Sequence, residues 1–210
     1  MMKKNGFTLA EVLITLAIIG VVATMTLPAL MTNTAEQQAK TGLRKGINTL
    51  TEAAQMNQAI DGFDYASFTS SNKDEESQSL YALLSKRTNM DYARSGKGKL
   101  ATVIAGSANT SNYAVFFRDG SALLFEDGAQ GAGSQEADGL LHGIKVIYDT
   151  NGSKGPNILS NCNGAVNGAE DVSSYTCTKQ NRVIKDQFGV RLRNGYAFPN
   201  GPAARWAFEN

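Results

Sequence analysis

An uninterrupted apolar stretch, residues 7–31, constrains the fold of this chain more than any other sequence feature. Its only charged residue is Glu11. As an α-helix these residues would rise about 37 Å, which exceeds the roughly 30 Å thickness of a bilayer core. Lys3 and Lys4 precede the stretch, and the next basic residue is Lys40. The positive-inside rule therefore predicts a single pass with a cytoplasmic N-terminus and an extracytoplasmic body.

The charge balance gives no indication of a nucleic-acid partner. The chain has 20 basic and 19 acidic residues, so it lacks the overall positive field that marks many polyanion-binding proteins. Its hydrophobic fraction of 42% is ordinary for a folded protein. Partners must therefore be inferred from local features.

A conventional signal peptide is the simplest alternative for the N-terminus. Val21-Val22-Ala23 offers small residues for cleavage after Ala23, which would release a secreted binding domain. Two features disfavour this interpretation. A carboxylate at Glu11 is unfavourable inside an apolar segment, and the run continues to Met31, beyond a typical signal. Gly6, by contrast, lies directly before the run, so a cut there would keep the whole helix in the mature protein.

Residues 3–20, KKNGFTLAEVLITLAIIG, resemble the prepilin cleavage and methylation motif of type IV pilins and type II secretion pseudopilins. The resemblance implies that prepilin peptidase, a membrane aspartic peptidase, cuts after Gly6 and methylates the new amine of Phe7. Glu11 then becomes the fifth residue of the mature chain. Pro28 falls where pilins often carry a helix-kinking proline.

The resemblance also implies a function. It predicts a structural subunit of a type IV pilus-like or type II secretion pseudopilus filament, and not an enzyme. The expected partners are prepilin peptidase, copies of the chain, other pilin-like subunits, the inner-membrane assembly machinery and the lipid bilayer. The precursor is expected in the bacterial inner membrane and the mature head in the periplasm or outside the cell. No cofactor is implied.

A physical argument gives Glu11 a role in filament assembly. A carboxylate buried among packed apolar helices is costly unless it is paired. In a filament it could pair with the Phe7 amine of a neighbouring subunit, which would also select the axial register. The alternative is that Glu11 reaches the membrane interface and has no partner.

The helix is predicted to continue beyond the membrane segment as an amphipathic half. Asp61-Gly62 supplies a stop, because glycine is common just after a helix end. Pro28, Gly42 and Gly46 are expected sites of bending or local melting. The apolar positions recur with helical spacing: Leu43, Ile47, Leu50 and Ala54, with Ile60 as a continuation.

The remainder is predicted to form an extracytoplasmic head of the α+β class, with a small antiparallel sheet of about four strands packed on the long helix, as in pilins. The turn at 118–121 favours a hairpin, and 188–198 alternates like one strand with a solvated face. The predicted segments are a helix at 73–86 and strands at 101–104, 112–118, 122–125, 145–148 and 188–198. The resulting domains are a leader at 1–6, a membrane or filament-core helix at 7–31, its amphipathic continuation at 32–62 and the head at 63–210.

Cys162 and Cys177 are the only cysteines. In an oxidising compartment an even pair favours a disulfide, here closing a loop rich in Asn, Gly and Ser. Two free buried thiols are the alternative.

Two further features bear on ligands and catalysis. Asp149 and Asn151 begin a loop whose oxygens leave calcium open as a ligand, with Asp186 as a distant carboxylate, although the same residues are ordinary turn formers. We predict no metal site. The only histidine, His142, lies in a glycine-rich segment without a nucleophile motif, which favours a solvated side chain.

Overall fold

The computed structural model describes residues 6–68, 78–99, 112–126, 143–162 and 177–210. Two compact units are present, Met1–Gln38 and Ala39–Asn210. The first contains the beginning of the long N-terminal helix, and the second contains the remainder of that helix together with the head. The fold is α+β and pilin-like, as predicted.

Helix α1 spans Leu9–Asp61. Gly62 follows with a φ of 77°, a left-handed conformation that glycine adopts without strain. The helix therefore ends where Asp61-Gly62 predicts. Its first part contains a segment, Leu9–Leu27, that is long and apolar enough to cross a bilayer. The assignment of α1 continues through Pro28, and a bend at that residue stays a prediction.

The head has more strands than the sequence predicts. Six strands form one antiparallel sheet in the order β1-β2-β3-β4-β7-β8, and β5 and β6 form a separate antiparallel pair. The strands are β1 Gly96–Lys97, β2 Tyr113–Phe116, β3 Ala122–Phe125, β4 Ile144–Asp149, β5 Asn161–Cys162, β6 Arg182–Val183, β7 Gln187–Arg193 and β8 Tyr196–Pro199. The remaining elements are a 3₁₀ turn at Tyr65–Ser67, α2 at Leu80–Arg87 and α3 at Pro202–Glu209.

The apolar stripe on the second half of α1 forms one side of the core. Leu43, Ile47, Leu50 and Ala54 are all buried, as their spacing predicts. They join one cluster with the inner side chains of the sheet, including Val146 on β4 and Val190 on β7. The predicted continuation at Ile60 is wrong. Ile60 is 63% exposed, because it lies in the last turn of the helix, beyond the region that contacts the sheet.

Gly42 and Gly46 have a different role from the one predicted. A Cβ on Gly42 would lie 2.8 Å from the Cβ of Thr150, and a Cβ on Gly46 would collide with the ring of Tyr148. Both glycines lie within the regular part of α1. They bring the helix close to the end of β4, so we interpret them as packing positions and not as bending sites.

The C-terminal tail is two strands and not one. The pair Asn194-Gly195 separates β7 from β8, and Asn194 adopts a φ of 50°. Val190 and Leu192 point into the core while Arg193 is exposed, as the alternation predicts. Gln187 departs from it, since its side chain is buried. Helix α3, which the sequence analysis did not predict, begins with Pro202 in its first turn and buries three alanines.

Several predicted features lie outside the described residues. These are the leader before Gly6, the strand at 101–104, His142 and the start of the helix predicted at 73–86. The described part of that helix is α2, capped by the Ser79 side chain, which accepts a hydrogen bond from the Ala82 N–H.

Candidate functional site

The predicted processing residues, Gly6 and Phe7, lie just before α1 in exposed, non-helical backbone. Phe7 is 90% exposed. A Cβ at Gly6 would meet no heavy atom within 4 Å. An exposed peptide bond with a side chain as small as hydrogen on one side suits close approach by a protease. Cleavage at this bond stays a prediction.

Thr8 and Glu11 form a capping box at the start of α1. The Glu11 carboxylate accepts hydrogen bonds from the Thr8 N–H and from the Thr8 hydroxyl, each at 2.8 Å. In return the Glu11 N–H donates to the Thr8 hydroxyl oxygen at 3.3 Å. This reciprocal arrangement satisfies amide groups that a helix start leaves without partners. Glu11 therefore has a structural role within its own chain that the sequence analysis missed, although Thr-x-x-Glu is its signal.

The helix that follows presents apolar side chains on all sides. None of the segment Leu9–Leu27 is buried within the protein. Threonines within it satisfy their hydroxyls by donating to backbone carbonyls one turn earlier, as Thr15 does to Val12 and Thr24 to Val21. The large side chains that are each more than half exposed include Leu13, Ile14, Leu16, Ile18, Ile19, Val21 and Val22. Such a surface requires an apolar environment, either lipid or other helices.

This segment matches a known sequence family. Residues 1–27 match the model of the prokaryotic N-terminal methylation motif. The chain carries the prepilin-type methylation motif. This N-terminal motif includes Gly6, Phe7 and Glu11, and with the helix behind it fits a membrane-anchored precursor of the pilin or pseudopilin type.

The head lies outside the motif. No curated protein and no solved structure matches the chain significantly. What the head does must therefore be argued from its own residues. Two parts of it relate to the sequence predictions, namely the cysteine pair and the loop that follows β4.

Cys162, at the end of β5, forms a disulfide with Cys177. The two Cα atoms are 5.4 Å apart, within the usual range for a disulfide. The bond joins the end of β5 to the part of the chain that leads into β6. Of the two alternatives left open by the sequence, the structure contains the disulfide.

Asp149 and Asn151 come together with Asp186 at the end of β4. The Asp149 carboxylate accepts hydrogen bonds from the Asn151 N–H, the Gly152 N–H and the Gln187 side-chain amide. The carboxylate of Asp186 accepts three more, from the N–H groups of residues 157 and 158 and from the Asn151 amide. Both carboxylates thus hold the loop in place through N–H donors.

This donor set does not fit calcium. Calcium takes six to eight oxygen ligands, whereas the described loop brings together two carboxylates that already accept three N–H donors each. No group of three or more His, Cys, Asp or Glu side chains suited to a metal occurs among the described residues. The buried side-chain oxygens of Asn151 and Asn157 have no hydrogen-bond partner, but two amide oxygens do not complete a calcium shell. The absence of a metal site from this loop stays a prediction.

Proposed function

We propose that the chain is a structural subunit of a type IV pilus-like or type II secretion pseudopilus filament. Prepilin peptidase cuts the precursor after Gly6 and methylates the amine of Phe7. The mature protein then leaves the inner membrane and assembles with copies of itself or with other pilin-like subunits. The observation that supports this proposal best is the match of residues 1–27 to the motif, whose apolar helical part, Leu9–Leu27, is not buried within the protein.

The exposed apolar surface supports assembly through α1. In the membrane its side chains contact lipid, and in a filament they contact the same segment of neighbouring subunits. A helix that is apolar all round suits both environments, so transfer from lipid to filament costs little solvation energy. The core cluster of the described residues begins at Ala39 and contains no residue of the segment Leu9–Leu27.

Cleavage by signal peptidase after Ala23 fits the geometry poorly. Ala23 lies within α1, 14 residues after its first residue, whereas Gly6 lies before the helix. N-terminal sequencing and mass spectrometry of the membrane-extracted mature protein separate the two alternatives. Methyl-Phe7 as the first residue supports our proposal, whereas a chain that starts at Thr24 contradicts it. Gly6→Val is expected to leave the leader attached.

The assembly role of Glu11 has to be separated from its capping role. Glu11→Gln keeps an acceptor that completes a capping box but loses the charge. Glu11→Ala loses both, and Thr8→Val loses the capping hydroxyl while the charge remains. If Glu11 pairs with the Phe7 amine of a neighbour, Glu11→Gln and Glu11→Ala both reduce the yield of sheared filaments, and Thr8→Val changes it little.

The pattern that contradicts charge pairing is equally definite. Normal filament yield from Glu11→Gln, together with a loss in Glu11→Ala and Thr8→Val, would assign Glu11 to helix capping alone. Immunoblots of membrane fractions serve as the control, because all three variants are expected to insert and to be processed to the mature size.

A further inference from the structure

The β7–β8 hairpin presents arginines and aromatic rings on the face that points away from the core. In the register of the two strands, Arg191 lies opposite Phe198 and Arg193 lies opposite Tyr196. Side chains alternate across a strand, and the intervening Val190, Leu192 and Ala197 are buried. The outward positions therefore form one surface, which we call the arginine–aromatic face.

Two large aromatic side chains are exposed on this face. Tyr196 is 53% exposed and Phe198 is 47% exposed. Their ring centroids are 6.1 Å apart, with an angle of 39° between the ring planes. Neither residue belongs to the core cluster. Adjacent exposed aromatic rings are characteristic of binding surfaces, because they offer a large apolar contact area with few rotatable bonds.

Arginine side chains lie beside the two rings. A groove of about 430 Å³ is lined by three arginines, 191, 193 and 205, together with both rings. The other described residues that line the groove are Asn194, Pro199 and Asn200, so none of the described lining residues is acidic. The groove is large enough for a small ligand or for one part of a polymer.

This combination selects for one kind of ligand. Guanidinium groups pair with phosphates, frequently through two parallel hydrogen bonds. Aromatic rings beside them add stacking surfaces for bases, and base stacking on aromatic rings with cationic groups along the backbone is how proteins hold single strands. A simple polyanion would gain nothing from the rings, and an apolar peptide would gain nothing from the arginines.

The spacing of the rings favours a single strand over a duplex. The ring centroids of Tyr196 and Phe198 are 6.1 Å apart. Successive nucleotides in a B-form strand are about 3.4 Å apart. Consecutive bases reach one ring each only when the strand is stretched and its bases are unstacked. We propose that the arginine–aromatic face binds single-stranded nucleic acid.

The test uses the full chain in nonionic detergent and a fluorescein-labelled (dT)15 oligonucleotide, with binding followed by fluorescence anisotropy. We expect Tyr196→Leu and Phe198→Leu each to weaken binding about tenfold, since each removes a stacking surface but keeps an apolar side chain. Arg193→Gln and Arg205→Gln are each expected to reduce the slope of log affinity against log salt by about 0.7.

Matched controls lie elsewhere on the head. Tyr92 is also exposed, and Arg118 is exposed in the β2–β3 turn, so Tyr92→Leu and Arg118→Gln should leave the affinity unchanged. Trp206 is the only tryptophan, and its fluorescence shows that each variant is folded. An abasic oligonucleotide of equal length should bind about as weakly to the wild type as (dT)15 binds to the ring variants.

Three results would overturn the proposal. The first is no measurable binding of (dT)15 at low salt. The second is equal affinity for (dT)15 and the abasic oligonucleotide, which would reduce the face to a general anion site. The third is binding of dextran sulfate as tight as that of (dT)15 and unaffected by Tyr196→Leu and Phe198→Leu, which would assign the face to acidic polysaccharides.

Discussion

At the scale of single residues, Asp149 has a carboxyl group that is buried at the end of β4. Burial raises its pKa from the ordinary value near 3.8 to about 6, and the nearby charge of Asp186 acts in the same direction. Hydrogen bonds from Gln187, Asn151 and Gly152 oppose this rise without cancelling it. The group therefore retains its proton to a higher pH in the folded protein than in the unfolded chain.

The direction of the resulting pH dependence follows from proton linkage. Between about pH 4 and pH 6 the Asp149 carboxyl group binds more protons in the folded state than in the unfolded state. Its contribution to the free energy of unfolding therefore falls as pH rises. We expect the free energy of unfolding to increase when the pH is lowered from 7 to 5.5. Urea titrations of the full chain in detergent, with unfolding monitored by Trp206 fluorescence, measure this free energy at each pH. In Asp149→Asn this increase should be much smaller.

Asp119 provides the control for this prediction. Partial burial raises the pKa of Asp119, but hydrogen bonds from Lys45 and Ser121 outweigh that effect and leave the pKa below its usual value. The Lys45 ammonium lies 2.7 Å from the carboxylate. Asp119→Asn should therefore preserve the increase in stability between pH 7 and pH 5.5. An increase of equal size in wild type and Asp149→Asn would contradict the assignment to Asp149.

At the scale of helices and strands, the close approach of α1 to β4 depends on Gly46. Alanine is favoured over glycine inside a helix by about 1 kcal/mol, so propensity alone predicts that Gly46→Ala stabilises the protein. The ring of Tyr148 occupies the space that the new methyl group would need. We expect overpacking to dominate and the variant to lose about 1–3 kcal/mol of unfolding free energy.

Asn48→Ala is the matched control for Gly46→Ala. Asn48 lies two residues further along the same helix and is exposed, so the substitution should be neutral or slightly stabilising. Urea unfolding of both variants in the same detergent compares them directly. A Gly46→Ala protein as stable as Asn48→Ala would show that the glycine is not required for packing.

The same elements show what the sequence predicts and why it fails elsewhere. Asp119-Gly120 predicts the β2–β3 turn, because its chemistry is local and no competing interpretation exists. Asn194-Gly195 is an equally strong hairpin signal, but the surrounding alternation of apolar and polar residues predicts one continuous strand. The sequence does not predict the packing role of Gly42 and Gly46, because the residues that they contact, Thr150 and Tyr148, are distant in sequence.

The candidate site divides in the same way. Gly6, Phe7 and Glu11 belong to a motif contained in a few consecutive residues, so the sequence is sufficient to find them. The capping box lies in the same residues and was accessible by the same means. The arginine–aromatic face becomes visible only when the register of β7 against β8 is known. The balanced net charge of the chain gives no indication of it.

At the scale of the whole molecule, three elements meet at Trp206. The Lys40 ammonium from α1 and the Arg182 guanidinium from β6 each lie 4.1 Å from the centroid of a Trp206 ring. Such contacts between a cation and an aromatic ring are stabilising. Trp206 itself lies on α3, so it links the long helix, the C-terminal helix and the strand pair next to the disulfide.

The disulfide is expected to stabilise the whole head. Its cysteines are 15 residues apart in sequence, and closing a loop of this length stabilises by about 3 kcal/mol when the unfolded chain is constrained. The double variant Cys162→Ser, Cys177→Ser should lose about that amount of unfolding free energy, as measured by urea titration of the full chain. The wild-type protein reduced with dithiothreitol is the comparison, and it should lose a similar amount of unfolding free energy. Equal stability of the oxidised and reduced proteins would contradict this expectation.

The outer edge of β8 has a consequence for the solubility of the head. Residues 197 and 199 direct their backbone away from β7. The Ala197 N–H donates to the Thr51 hydroxyl at 3.1 Å, and Pro199 has no N–H to offer. A foreign strand that approaches this side therefore finds no vacant donor at either position, which is how natural sheets resist templated growth into amyloid. Crowded heads can thus lie side by side without fusing along this edge.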